Sequence, residues 1–181
     1  MRRFLFLSSS ARPDGNTVTL ARLAAAQIAA DAQVWIDLTT PSLPPFCDLR
    51  PAGTPPPDGA LSRIWTATGW ATEIVFVAPV YWYALPAPAK LLLDHWSGWL
   101  DTPGLDFANI IKTKRLWLIT TRADPDPTVA DLPEAALRRS GDWLGMVWGG
   151  AVHGIGDARG EVWMDAAACT AAARLFAQAP A

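Results

Sequence analysis

The feature that most constrains this chain is an apolar run, Phe4-Leu5-Phe6-Leu7, that stops abruptly in Ser8-Ser9-Ser10-Ala11-Arg12-Pro13-Asp14-Gly15-Asn16-Thr17 and passes at once into a helical pattern. A strand that breaks into small polar residues ahead of a helix delivers a helix N-terminus, whose unpaired N–H groups and partial positive charge stabilise an anion without a dedicated cavity. The hydroxyls of Ser8, Ser9 and Ser10, the Asn16 amide, the Thr17 hydroxyl and the Arg12 fork supply further donors. Gly15 is expected to take a positive φ in the turn, and Asn16 or Thr17 to cap the helix. Arg12 carries the most weight, because a guanidinium grips phosphate through two parallel charge-assisted bonds. The stretch reads as a phosphate-binding loop; the alternative is a polar turn that only caps a helix. It is neither common nucleotide fingerprint, since G-x-x-x-x-G-K-[ST] is absent and G-x-G-x-x-G does not follow this strand.

The pattern beyond this loop alternates strand and helix. Val18, Leu20, Ala21, Leu23, Ala24, Ala25 and Ile28 recur at helical spacing and predict a helix over about Thr17 to Ala30. Gln33 to Leu38 reads as a second strand, which makes a right-handed βαβ unit of a parallel sheet. From Thr39 to Gly59 prolines exclude helix and central strand, leaving a lid or a passive extended cover. A helical stretch, Leu61 to Gly69, leads to Glu73 to Ala78, apolar enough to be a central strand buried on both faces. It ends in Pro79-Val80-Tyr81-Trp82-Tyr83-Ala84-Leu85-Pro86, placing three consecutive aromatics where open α/β sheets bind ligands. Pro86 and Pro88 open the next helix, which carries Lys90, Asp94, Trp96 and Trp99. Arg115 to Thr121 is a fourth strand with a proline-bearing loop after it, Glu134 to Leu144 a helix, Val147 to Val152 a glycine-weakened fifth strand, and Glu161 to Gln178 a closing helix. His153 has no partner visible in sequence and His95 lies on a helix, so neither is given a role. The expected fold is α/β, a flavodoxin-like doubly wound five-stranded parallel sheet with helices on both faces.

Composition narrows the function. With 181 residues, 51% hydrophobic and 18% charged, the chain can bury one core and is short for two, so a single domain over 1–181 is expected. Fifteen basic against 17 acidic residues leave a charge of -2, which provides no electrostatic footprint for nucleic acid or an anionic membrane. Cys47 and Cys169, the only cysteines, are too few for a zinc or iron–sulfur ligand set and read as buried or idle thiols. The apolar stretch after Arg2-Arg3 ends at Leu7, short of a signal-peptide core of roughly 7–15 residues. No run approaches the roughly 20 apolar residues of a membrane span, so a cytoplasmic protein is expected. Its partners are expected to be small molecules or a second copy of itself. The ten tryptophans, with those on the Lys90 helix, suggest a homodimer or a higher homo-oligomer.

These residues carry a resemblance. Ser9-Ser10-Ala11-Arg12-Pro13-Asp14-Gly15-Asn16-Thr17 resembles the G-S-x-R-x-x-G-N-T phosphate loop of the NAD(P)H-dependent FMN reductase family, with Ser9 in place of its usual glycine. Pro79-Val80-Tyr81-Trp82, followed by Lys90 and Asp94, resembles that family's P-x-Y-W segment and its K-x-x-x-D. The resemblance implies FMN as cofactor and NAD(P)H as co-substrate. Ser10, Arg12, Asn16 and Thr17 would hold the FMN phosphate; Pro79, Val80, Tyr81, Trp82 and Tyr83 would border the isoalloxazine; Thr121 and Arg122 would stand near a third flavin loop. It also implies ping-pong hydride transfer, from nicotinamide to flavin and then to a free flavin, quinone, azo or nitro compound or chromate, with no general base required. Two other readings stand beside the reductase. A flavodoxin-like electron carrier would be expected to show an acidic docking face, and a non-catalytic α/β binding domain would purify without colour.

Overall fold

The computed structural model describes residues 1–49 and 53–177. Five strands, β1 (Phe4–Ser8), β2 (Gln33–Asp37), β3 (Glu73–Val77), β4 (Arg115–Arg122) and β5 (Val147–Ile155), pair in parallel in the order β2-β1-β3-β4-β5. Between and after them run α1 (Asn16–Ala25), α2 (Gly59–Trp70), α3 (Ala87–Leu100), α4 (Phe107–Ile111), α5 (Asp131–Trp143) and α6 (Ala166–Arg174). The two-residue period of the strands divides the core between the faces. Leu5, Leu7, Ile74, Phe76, Leu116 and Leu118 pack beneath α2 to α5, while Phe4, Phe6, Val75, Val77, Trp117 and Ile119 pack beneath α1 and α6. Phe6 and Phe76, both fully buried, contribute about 1.5–3 kcal/mol apiece by leaving water. No helix among the described residues is long and apolar enough to cross a membrane.

The strand order has a functional consequence. From β1 the chain goes to one side to reach β2 and to the other to reach β3, so a crevice opens beyond the carboxyl ends of β1 and β3. Backbone bonds carry the pairing past the strands, from Ser9 N to the Val77 carbonyl (3.0 Å) and from Val80 N to the Thr121 carbonyl (2.9 Å), and so draw three loops to one place.

Several local expectations are corrected. The first helix ends at Ala25 rather than Ala30, where Gln33 Nε2 donates to the Ile28 carbonyl at 2.8 Å and fixes a different exit. The closing segment is not one helix from Glu161: a 3-10 turn at Glu161–Met164 breaks at Asp165, which caps α6 by accepting from Ala168 N at 2.9 Å and also takes Ile155 N at 3.0 Å. Gln178, the expected end, lies outside the described residues. Helix α4 was not anticipated, α5 begins at Asp131 after a 3-10 turn at Pro127–Ala130, and β5 runs on to Ile155. The glycines of β5 serve packing: a Cβ on Gly149 would lie 2.3 Å from the Trp117 ring, so only glycine lets that indole lie on the edge strand.

The tryptophans of α3 do not face outward. Trp96 and Trp99 are buried, edge-on to Phe76 and Phe107 at 5.9 and 5.5 Å between ring centres. The described part of the proline stretch lies along α3, where His95 Nε2 and the Pro44 carbonyl are 2.8 Å apart and Phe46 stands edge-on to the imidazole. Cys47 is exposed rather than buried, and Cys169 is half-buried with its thiol pushed up chiefly by burial, then by Asp165.

Candidate functional site

At the crevice the three loops enclose a cleft of about 210 Å³. Ser10, Arg12, Asn16, Thr17, Pro79, Val80, Tyr81, Thr121 and Arg122 all line it, so the structure gathers nine of the eleven residues singled out in the sequence. Trp82 and Tyr83 do not. They form the tip of a two-residue turn closed by reciprocal bonds between Tyr81 and Ala84, each 3.1 Å, and they point into solvent, 93% and 56% exposed. Their φ angles of 52° and 61° put two bulky aromatics in the left-handed region, where a turn of this type ordinarily uses Asn or Gly.

The floor of the cleft is the start of α1. Asn16 and Thr17 are buried, and no side chain caps the helix. The expectation that Asn16 or Thr17 would cap is therefore corrected: Thr17 Oγ1 meets Thr121 Oγ1 at 2.5 Å, and the Asn16 amide turns sideways to the chain after β5. A buried helix N-terminus with no capping side chain, opening into a polar cleft beside an arginine, has the donors and the field of a phosphate site. This is the observation that fits the phosphate of a flavin mononucleotide to these residues.

Gly15 is needed for space, not for a left-handed turn. Its φ is -70°, and a Cβ there would stand 3.1 Å from Arg12 Cβ, 3.2 Å from the Arg12 carbonyl oxygen and 3.3 Å from Ser10 Oγ. The Ser10 hydroxyl holds this tight turn, donating to the Arg12 carbonyl at 2.9 Å and accepting from Arg12 N at 3.2 Å. Arg12 is exposed and places one nitrogen, Nη1, 2.9 Å from the Asp157 carbonyl, which leaves the rest of its fork for a ligand. On the opposite wall Arg122 is buried and secures its own loop, with Nε donating to the Asp126 carbonyl at 2.9 Å. Asp126 in turn accepts from Thr128 N and Thr128 Oγ1, bonds that hold its carboxyl below its ordinary range.

Sequence reasoning missed Gly156 and Asp157, which line the cleft from beyond β5. Their only signal was position, since the fifth strand of a parallel sheet must also end on the binding edge. His153, without a visible partner in the sequence, pairs with Glu134 of α5, Nε2 to Oε2, 2.5 Å away on the helical layer of β5 and outside the cleft.

The strand order and the phosphate-ready crevice define a flavodoxin-like nucleotide-binding α/β protein. Comparison with known proteins narrows this. The profile of the NADPH-dependent FMN reductase family matches residues 2–126, and the chain belongs to that family. Over 179 residues it is 28% identical to the putative NAD(P)H-dependent FMN-containing oxidoreductase YwqN of Bacillus subtilis, with 97% of each chain covered. Among solved structures it is similar to the Trp repressor binding protein of Bacillus subtilis (TM-score 0.79, 23% identity, 99% of this chain and 100% of the other). It is also similar to an azoreductase of Bacillus anthracis (TM-score 0.62, 15% identity, 97% and 98% covered). The protein is thus an NAD(P)H-dependent flavin oxidoreductase, with FMN as cofactor and NAD(P)H as co-substrate.

Proposed function

We propose that this chain, acting as one unit over 1–181, binds FMN with the phosphate at the start of α1 among Ser10, Arg12, Asn16 and Thr17. The isoalloxazine lies along Pro79, Val80 and Tyr81, with Thr121 and Arg122 on the third side and the solvent-facing Trp82 and Tyr83 at the outer rim of the same turn. When bound, FMN supplies the capacity to take up and hand on a hydride; the protein binds, orients and excludes water. The observation that carries the reading is the uncapped, buried start of α1 beside Arg12, facing an aromatic rim across one cleft.

The rim also bears on mechanism. It is open, so nicotinamide and acceptor use the same exposed face in turn, a ping-pong order in which hydride transfer calls for no general base. The acceptor is a small oxidised molecule: a free flavin, quinone, azo or nitro compound, or a metal oxyanion such as chromate. The azoreductase similarity and the aromatic rim favour planar acceptors within that set. Initial rates measured at several fixed acceptor concentrations test the order. Parallel double-reciprocal lines are expected, and intersecting lines overturn it. If neither NADH nor NADPH bleaches the bound flavin anaerobically within minutes, the hydride-transfer reading itself fails.

We place the protein in the cytoplasm, with its reduced nicotinamide co-substrate, and propose a homodimer. Because Trp96 and Trp99 are committed to the core, the dimer uses instead the apolar groove between α3 and α5, lined by Leu93, Leu100 and Leu144 beside the exposed Trp143. Light scattering of the FMN-loaded protein at micromolar concentration is expected to report twice the chain mass, and Trp143→Glu to halve it; a monomer in the wild type overturns the proposal.

A further inference from the structure

The wall that sequence reasoning missed is attached to the phosphate loop by Arg12 on the Asp157 carbonyl, by an exposed ion pair between Arg159 and Asp14, and by the one buried side chain among the three, Asn16. Asn16 Nδ2 donates to the Ala158 carbonyl at 2.9 Å, and its Oδ1 accepts from Gly160 N at 3.0 Å and from Val162 N at 3.3 Å. An amide side chain has two donor hydrogens and two acceptor sites, so three of the four are committed to the connection between β5 and α6. The fit is tight as well as polar. A Cβ on Gly156 would lie 2.7 Å from Asn16 Nδ2 and 2.9 Å from Val162 N, so this backbone can approach the amide only because residue 156 is glycine. Within the connection, Glu161 Oε2 accepts from Asp157 N at 2.7 Å and Ala158 N at 2.9 Å. Those bonds hold the segment whose carbonyl at Asp157 receives Arg12 Nη1. Residues 156–162 lie beyond the part of the chain that matches the family profile.

We infer that Asn16 is a positioning residue. It pins the 156–162 connection against the start of α1, so that the Asp157 carbonyl aims the Arg12 fork into the cleft. Its contribution to binding FMN therefore runs through Arg12. This rests on the proposed placement of the FMN phosphate at Arg12, and it adds a function for a segment outside the family's signature.

A double-mutant cycle on the full chain, read by FMN and riboflavin titration, tests it. Asn16→Ala and Gly156→Ala are each expected to weaken FMN about three- to tenfold, the loss for one to two modest hydrogen bonds. Riboflavin, which lacks the phosphate, should be unaffected by both. In an Arg12→Ala background neither substitution should cost FMN anything further. If Asn16→Ala costs the same factor with and without Arg12 while Gly156→Ala leaves FMN binding intact, Asn16 is a direct phosphate ligand and the inference is overturned. Equal losses for FMN and riboflavin overturn it in favour of a purely structural role. Should either variant not fold, exposed Glu161→Ala loosens the same connection: a loss of FMN affinity that disappears with Arg12→Ala supports the inference, and no loss overturns it. Faster amide exchange at Gly160 and Val162 in FMN-free Asn16→Ala is expected as well. If Arg12→Ala alone leaves FMN binding unchanged, the proposed phosphate placement has failed, which is a separate result from the loss of coupling.

Discussion

The hydroxyls of Thr17 and Thr121 meet at 2.5 Å beneath the cleft, joining the first turn of α1 to the end of β4 across 104 residues of chain. Both side chains are buried at the floor of the cleft, so a hydroxyl that loses this bond has little access to water in exchange. Thr121→Val strands the Thr17 hydroxyl and is expected to cost about 1–3 kcal/mol in denaturant unfolding. The double variant Thr17→Val/Thr121→Val removes both polar groups and should recover most of that loss. Additive losses in the cycle would show that the bond is not what matters.

Arg12 is the proposed partner of the phosphate charge. Arg12→Ala should weaken FMN by about one to two decades, the value of a charge-assisted contact of roughly 1.5–3 kcal/mol. Arg12→Lys should restore only part of it, because the charge returns without the fork. Riboflavin affinity should scarcely move in either, and flavin fluorescence quenching measures both ligands; equal losses would remove Arg12 from the site.

The aromatic turn holds strain. Two bulky residues at φ of 52° and 61° are each expected to cost of order 1 kcal/mol relative to residues suited to that region. Tyr83→Gly and Trp82→Asn should therefore raise the melting temperature of the FMN-free protein by a few degrees. The same changes should reduce kcat/KM for planar aromatic acceptors while sparing ferricyanide, a compact one. A lowered melting temperature in both would show that the rings are held by packing rather than against strain.

Asp126 makes one edge of the site sensitive to acid. Its bonds to Thr128 N and then Thr128 Oγ1 hold the carboxyl below the ordinary value of 3.8. The folded value is the lower one, so the stabilising contribution is fully present above 3.8 and is lost as pH falls through the folded value. Asp126→Asn should give a shallower acid limb in unfolding midpoint against pH, with little change near neutrality. An unchanged acid limb would show that the carboxylate bonds contribute nothing to stability.

Much of the fold was legible because its cause is local. The alternation of short apolar strands with amphipathic helices reports two periodicities that any backbone must obey, and Ile74 to Val77 is apolar because it is covered on both faces. The loop that enters α1 was legible for the same reason: a strand, a polar turn and a helix start fall within fourteen residues, from Phe4 to Thr17. The errors are at ends and orientations. The break at Asp165 depends on Ile155, ten residues earlier, and the turning of Trp96 and Trp99 into the core depends on Phe76 and Phe107.

Local pattern therefore set the class of the molecule, the right-handed βαβ crossover that opens its parallel sheet, and two of the loops that line the cleft. What each side chain does there depends on contacts made between segments far apart in the chain. Asn16 looks like a cap or a phosphate ligand in the linear pattern, yet its amide is spent on Ala158, Gly160 and Val162, 142 to 146 residues away. Gly15 looks like a residue chosen for positive φ, yet it is kept small by Arg12 and Ser10. The physical reason is common to both: periodicity and propensity act over a few neighbouring residues. The direction of a hydrogen bond and the room for a Cβ are set by whichever distant segment folding brings alongside.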